Sequence, residues 1–315
     1  MLNLKELSDF IKDKALELGF SACGISKADY LKSDSTFYTD WINSKKHGNM
    51  TYLNRNVEKR LDPTKLHEGT KSIVSVLYNY YPEKFQNTDT KYKISKYAYG
   101  KDYHKILKKK LKLLLTDIEE KVGQSKARIF VDSAPVLERR WAQQSGLGWI
   151  GKNTMLIHPD IGSYTFIGEI LIGLELIYDK ADADHCERCT ACLRACPTNA
   201  LDISKPYQLD ASKCISYQTI EDAEKLDFSI ENKNWIFGCD ICQEVCPWNR
   251  KAPKTDEAKF QISDFIKNAT DKDWENLTEE EFEKYFNGTP IRRSKFEGLK
   301  KNIGKVKHNN NATPL

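Results

Sequence analysis

The feature that most constrains this chain is the run Cys186-x2-Cys189-x2-Cys192-x3-Cys196-Pro197 and its partial echo, Cys239-x2-Cys242-x3-Cys246-Pro247. A run of four such thiols ending in Cys-Pro is a ligand pattern for paired 4Fe–4S clusters, in which the fourth cysteine serves the other cluster. The echo lacks a leading thiol: aligning the two Cys-Pro ends puts Ile236 opposite Cys186. Cys214 supplies the missing ligand, and four, three and one make the eight that two cubanes require. The crossed pattern assigns Cys186, Cys189, Cys192 and Cys246 to one cluster and Cys196, Cys214, Cys239 and Cys242 to the other. Tight loops let successive thiolates reach different iron corners, and each proline turns the chain away without adding a donor. Zinc is the alternative for Cys-x2-Cys pairs, but a doubled run with a Cys-Pro end favours iron and sulfide. Cys23, the ninth cysteine, lies in an apolar stretch and reads as a small buried residue.

A pair of clusters needs only a short chain, and 315 residues leave room for a large domain besides. With 40% hydrophobic and 30% charged residues, bulk disorder is excluded. The N-terminus mixes charge throughout and has neither an apolar h-region nor a twin arginine, so it reads as a helix of the mature fold. No window is apolar enough to span a membrane; the richest, Thr165 to Tyr178, is broken by Glu169 and Glu175. A cytoplasmic location is expected, where clustered thiols bind metal rather than form disulfides. Residues 251–285 carry ten acidic residues against six lysines, whereas residues 292–307 carry seven basic residues against one acid. Such a basic stretch suits either phosphate contact or a solvated end.

Leu4, Leu7, Ile11, Ala15 and Leu18 recur at helical spacing before Gly19. Strands are expected at Phe20–Ile25, Ile73–Tyr81, Arg128–Val131, Thr154–Ile157 and Thr165–Tyr178. Helices are expected over Asp102–Val122, with Lys108, Lys109 and Lys110 on the solvated side, and over Pro135–Gln144. The class is α+β or α/β, and strand order cannot be read. Three segments are expected: residues 1–178 with the bulk of the strands, 179–250 with the cysteines, and a helical, polar extension over 251–315 with a partly disordered, basic tail ending in frayed HNNNATPL.

The stretch VDSAPVLERRWAQQSGLGWIGKNTMLIHPDIGSY (131–164), followed by this cysteine framework, resembles epoxyqueuosine reductase. HGNMTYLNRN (47–56), KYAYGKDYHKILKKKL (96–111), Cys214-Ile215-Ser216-Tyr217 and GCDICQEVCPWNR (238–250) are also similar to that family. The resemblance implies an α+β protein: an N-terminal α/β sandwich domain of reductive-dehalogenase and nitroreductase type that binds cobalamin base-off, and a ferredoxin-like domain with two 4Fe–4S clusters. It implies reduction of the epoxide of epoxyqueuosine at the tRNA wobble position, the last step of queuosine synthesis, with electrons from a low-potential donor. No D-x-H-x-x-G box is present, so cobalamin rests on the resemblance.

By the same resemblance Asp132 is the proton donor to the departing oxygen. The residues alone leave a second role open, since Asp132 or Ser133 could cap a helix beginning near Pro135. Tyr103 and His104 are candidates for shaping the pocket. The resemblance assigns cobalamin contacts to Arg55, Tyr97, Asp132, Asn153, His158, Ser212 and Gln218. It assigns tRNA phosphate contacts to Arg292, Arg293 and nearby lysines. The Gly146–Lys152 loop is either a place for close backbone approach to a corrin or a plain turn cluster. Two departures stand out: the sequence given has no HEAT-like repeat after the final family-like segment, and Lys301-Asn302 replaces the usual Arg-Asn. The rival readings are a reductive dehalogenase and a non-catalytic electron carrier.

Overall fold

The computed structural model describes residues 3–221 and 232–311, which fall into two compact units interleaved along the chain. The first comprises residues 1–45, 51–79 and 103–189; the second comprises residues 46–50, 80–102 and 190–315. The division at Cys189 falls inside the first cysteine run. Both units mix helix and sheet, so the α+β class holds.

The first unit is built on a four-stranded, wholly antiparallel sheet in the order Ala22–Lys27, Ser72–Asn79, Thr165–Ile172, Ala127–Phe130. Ser72–Asn79 is buried at every position, and Thr165–Ile172 at six of its eight. Burial on both faces explains why these strands read as apolar runs rather than as an alternation.

Alternation of side chains divides the sheet into two faces. Under one face lies the helix Tyr103–Val122, with Leu107, Leu111, Leu114 and Ile118 buried. A Cβ at Gly168 would meet Leu111 at 2.9 Å. The helix Leu4–Glu17 packs beside it through Leu7, Ile11 and Ala15. It starts in an Asn3–Glu6 capping box, and Gly19 follows at φ +86°, a conformation that favours glycine. Lys110 is not merely solvated: its ammonium donates to the Leu18 carbonyl at 2.7 Å and lies over the Tyr78 ring.

The other face carries Ile73, Leu77 and Leu171, and the helix Glu138–Gln144 covers it with Trp141 and Ala142. One register row on this face runs Gly24, Ser75, Glu169, Phe130. At Gly24 a Cβ would stand 2.0 Å from the Ser145 carbonyl oxygen, so the end of the covering helix sits directly on the edge strand. Ser145 also donates its hydroxyl to Ser75 at 3.3 Å.

The covering helix begins three residues later than the spacing predicts. Ser133 and Val136 close tight turns onto Val131 and Ala134, and Pro135 disfavours a helical residue before it. The expected strand over Thr154–Ile157 shrinks to Leu156–Ile157, paired with Trp149–Ile150.

The second unit has its own core, of Tyr92, Ile94, Phe237, Trp274, Phe282, Phe286, Ile291, Leu299 and Ile303 among others. Its two-stranded sheet pairs Lys93–Ile94 in parallel with Trp235–Phe237. The polar composition of residues 251–315 conceals an apolar face that supplies much of this core. Capping boxes Thr270/Asp273 and Thr278/Glu281 start two of its helices. The basic stretch continues as a helix, Lys295–Asn311; residues 312–315 of the expected frayed end lie outside the described residues. Asn302 is fully buried and donates its amide to the carbonyls of Thr219 and Ile236, so the Lys301-Asn302 pair includes a structural residue.

Gly24→Ala should therefore strain the first unit by about 1–3 kcal/mol, the usual cost of overpacking. The expected result is a lower thermal midpoint by circular dichroism. A midpoint equal to the parent's would show that the contact with Ser145 is easily relieved.

Candidate active site and cluster ligands

Asp132 follows the edge strand Ala127–Phe130 and takes a left-handed backbone conformation, φ +52°, unusual for a residue with a side chain. It caps no helix: Leu137 occupies the N-cap position of Glu138–Gln144, which has no side-chain cap. The Asp132 carboxylate instead accepts the Tyr103 hydroxyl and lies 3.5 Å from Nε2 of His104. Tyr103 is held flat against Phe166, ring centroids 4.1 Å apart, with His104 stacked on it at 4.2 Å. Tyr103 and His104 open the long helix under the sheet, so two family-like segments, 96–111 and 131–164, meet at this carboxylate. Its side chain is 56% exposed. Burial pushes its pKa up, but hydrogen bonds from His104 and Tyr103 and the charges of His104 and Arg139 prevail and hold it below the ordinary carboxylate value.

Two further carboxyls, not singled out in the sequence, stand behind Asp132. Glu138 accepts the backbone N–H of Asp132. Its pKa is pushed up to about 8, first by burial and then by the charge of Asp132. Glu169, at 0% exposure on the central strand, faces Glu138, and its pKa is raised well above the ordinary value by burial and then by both neighbours. Neither Glu169 oxygen finds an N–H or O–H donor among the described residues. Two carboxyls so placed can bond each other only if one carries a proton. A signal was legible: Glu169 is a lone acid in the apolar run TFIGEILI, where an unpaired charge is not tolerated.

Of the other residues the resemblance assigns to cobalamin, Arg55, Asn153 and His158 belong to the first unit. Arg55 is exposed after the turn Thr51–Asn54; Asn153 is buried and accepts the Met155 N–H at 3.2 Å. His158 accepts the Asp160 N–H, and burial lowers its pKa. In the Gly146–Lys152 loop, Gly148 at φ +116° stands where a Cβ would lie 2.1 Å from the Ile157 carbonyl, so the turn requires glycine there.

Tyr97, Ser212 and Gln218 belong to the second unit. Tyr97 packs near Phe237, and exposed Ser212 donates to Asp210. Gln218 is buried with no partner for its amide oxygen among the described residues. Two family-like segments meet here: the Tyr217 hydroxyl accepts the Asn49 N–H at 2.7 Å, and a Cβ at Gly48 would lie 2.5 Å from the Tyr217 ring. Arg292 pairs with Glu283 at 2.9 Å, and Arg293 grips both oxygens of Glu221 at 2.8 Å. Both guanidinium groups are thus carboxylate-paired on an exposed surface.

None of the nine cysteines is joined in a disulfide. Cys239 lies within electrostatic reach of Cys196 and of Cys214, and Cys242 within reach of Cys214, Cys239 and Cys192. Burial and these neighbours raise the thiol pKa values of Cys239 and Cys242. Between them Asp240, fully buried, accepts the Ser95 hydroxyl and the Lys96 N–H at 2.8 Å, with the Lys96 ammonium 3.4 Å away. That anchor fixes the second cysteine loop. In the first unit, Lys152 donates to the carbonyls of Glu187 and Cys189, and burial raises Cys186. Cys246, like Cys186, is buried. Cys23 sits in the edge strand, and burial pushes its pKa up to about 12.

The acid pair has a measurable signature. Burial raises the folded-state pKa of Glu169 above 4.5, so the stability it contributes below that value is lost as pH rises toward the folded pKa. Glu169→Gln should remove this loss, and the drop in thermal midpoint between pH 6 and pH 9 should shrink relative to the parent. An unchanged drop would mean that Glu169 meets no ionisation penalty.

Comparison with known proteins connects these features. Residues 60–133 match the family described as "Epoxyqueuosine reductase QueG, DUF1730", and residues 185–249 match "4Fe-4S double cluster binding domain". The latter resolves the choice between zinc and iron–sulfur. An epoxyqueuosine reductase of Leadbetterella byssophila is 48% identical over 96% of this chain and 99% of its own length. That of Cellulophaga algicola is 47% identical over 97% and 100%. That of Pseudomonas aeruginosa is 42% identical over 94% and 84%. A crystal structure of epoxyqueuosine reductase superimposes with a TM-score of 0.86 at 27% identity, covering 96% of this chain and 82% of that one. Another, with an epoxyqueuosine-modified tRNA-Tyr stem loop, gives 0.84 at 26% identity, covering 96% and 81%. Identity at this level over almost the whole of both chains, with a double-cluster module in the expected place, means that the chain belongs to the epoxyqueuosine reductase family.

Proposed function

We propose that this chain reduces the epoxide of epoxyqueuosine in tRNA to the alkene of queuosine, using two 4Fe–4S clusters and cobalamin. The observation that carries this reading is similarity to epoxyqueuosine reductases across nearly the full length of both chains. The placement of Asp132 adds to it: a partly exposed carboxyl held by Tyr103 and His104 suits proton delivery to a leaving oxygen. An electron carrier would need no such group, and the relatives at 42–48% identity described above are epoxyqueuosine reductases rather than dehalogenases.

The donor set fits the cofactors. Eight thiols, raised in pKa where they are buried among one another, are ligands that iron would deprotonate on binding. We assign Cys186, Cys189, Cys192 and Cys246 to one cluster and Cys196, Cys214, Cys239 and Cys242 to the other. The buried, unpartnered amide oxygen of Gln218 suits the primary amide donors that fringe a corrin. Arg55, Tyr97, Asn153, His158 and Ser212 are the further candidate contacts. Bound cobalamin would supply a strongly reducing, nucleophilic cobalt that no side chain can replace.

Residues 1–178 would then form the cobalamin-binding catalytic domain, 179–250 the cluster domain, and 251–315 an extension serving tRNA. Arg292 and Arg293 would meet backbone phosphate there. An unpaired wobble base is accessible as single-stranded RNA loops generally are. No helix among the described residues is long and apolar enough to cross a membrane, and tRNA modification with a low-potential electron donor suits the cytoplasm.

Two experiments test this reading. Anaerobically purified protein should hold about eight iron atoms, and Cys214→Ala should damage one cluster while sparing the other. Full iron content in Cys214→Ala would overturn the ligand assignment. On an epoxyqueuosine-bearing anticodon stem loop, the parent should form queuosine, and Asp132→Asn should lower the rate by about 10²–10⁴-fold, the range for a positioned general acid. Cluster content and cobalamin binding should survive. A parent protein that leaves the epoxide intact would refute the function; a fully active Asp132→Asn would refute the role of the carboxyl.

A further inference from the structure

Converting an epoxide to an alkene breaks both C–O bonds, forms one C=C π bond and releases the oxygen as water. Each turnover therefore consumes two electrons and two protons. The clusters account for the electrons. Asp132 can carry only one proton at a time, and as it stands it is occupied as an acceptor of the Tyr103 hydroxyl and a partner of His104. Acids close by that hold protons can hand both over in turn without waiting for exchange with solvent.

Resting on the function proposed above, we propose that Glu138 and Glu169 are a two-proton store behind Asp132, positioning residues through which both protons of the reduction pass. Glu138 touches the Asp132 backbone on one side and faces Glu169 on the other. Among the described residues Glu169 has no donor for either oxygen, and it is sealed from solvent, so its carboxyl is at rest only when protonated. The charged and titratable groups around the pair all bear on the direction of transfer. Asp132 lies toward the open side with Tyr103, His104 and Arg139 around it; Glu138 faces Asp132, Arg139, His104 and Glu169; Glu169 faces Glu138 and Asp132. The cationic groups favour the anion on Asp132, and the apolar sheet favours neutral acids behind it.

The balance is as follows. As the first C–O bond breaks, its electron pair goes to the oxygen, which takes a proton from Asp132 supplied by Glu138, and the two electrons drawn from the clusters reduce the carbon left behind. Glu169 then passes its proton to Glu138, and from there it reaches Asp132. The electron pair on that carbon then becomes the C=C π bond as the second C–O bond breaks, and this proton leaves with the oxygen as water. Two protons from solvent refill the store through the exposed Asp132.

The test uses the cluster- and cobalamin-loaded protein together with infrared spectroscopy of its carboxyl groups. At pH 7 the parent should show a protonated-carboxyl band, confirmed by isotope-labelled glutamate, and Glu138→Gln and Glu169→Gln should each diminish it. With the modified stem loop, the parent's single-turnover rate should fall as pH rises past the Glu138 value of about 8. Glu138→Gln should be slower by about 10²-fold and should lose that alkaline limb, with stem-loop affinity and iron content unchanged. Glu138→Gln at the parent's rate with the parent's pH profile would overturn the store. So would the absence of a protonated glutamate band from the parent at pH 7, a result that needs no variant to fold. If the parent does not reduce epoxyqueuosine at all, the function fails instead, and the infrared band still decides whether the acids hold protons.

Discussion

The first unit depends on the antiparallel pairing of Ser72–Asn79 with Thr165–Ile172, eight residues in register and covered on both faces. Because the pair is buried, its register is tightly specified: a slip by one residue would turn every side chain to the wrong face. That register carries Glu169 to the face under the helix Glu138–Gln144, beside Ser75 and in line with Gly24. The missing side chain at Gly24 lets the far end of the same helix settle on the edge strand. The placement of Glu138, and with it the backbone of Asp132, thus follows from a hydrogen-bond ladder and one close approach.

The second unit solves a different problem. Short cysteine loops have little apolar surface of their own, and something must hold them before metal arrives. Asp240 does this for the second run, buried between Cys239 and Cys242 and bonded to Ser95 and Lys96. A buried carboxylate with a hydrogen-bonded lysine is costly to break, since removing either partner strands the other charge. The aromatic core of Trp274, Phe282 and Phe286 supplies the apolar burial that the loops cannot.

What was legible in the sequence was whatever a short spacing encodes. The double-cluster module, the helix Leu4–Glu17 with its glycine stop, and the long helix from Tyr103 rest on short-range spacing and survive intact. The central strands were visible because burial on both faces leaves continuous apolar runs. Their order was not, because antiparallel pairing between residues 72–79 and 165–172 leaves no local trace. The start of the covering helix was misplaced because tight turns around Pro135 compete with helix in a segment whose composition suits either. Asp132 was found through resemblance, but its partners Glu138 and Glu169 were passed over. An acid in a strand looks like an interruption until the covering helix is seen to bring another acid against it. The polar look of residues 251–315 misled in a similar way, since the apolar face that fills the second core is sparse in sequence and dense in space.

The interleaving of the two units bears on how the chain comes to be assembled. Lys93–Ile94 pairs in parallel with Trp235–Phe237, and the core around that pairing is completed by residues as late as Val306. Contacts so distant in sequence carry a large loop-closure cost and form slowly. As the chain leaves the ribosome, residues 80–102 must wait for residues as late as Val306 before their surroundings exist. The first unit, whose last strand ends at Ile172, can close its sheet while they wait. Delivery of iron and sulfide to the cysteines would thereby wait until the last thiol and the helices up to Val306 have emerged.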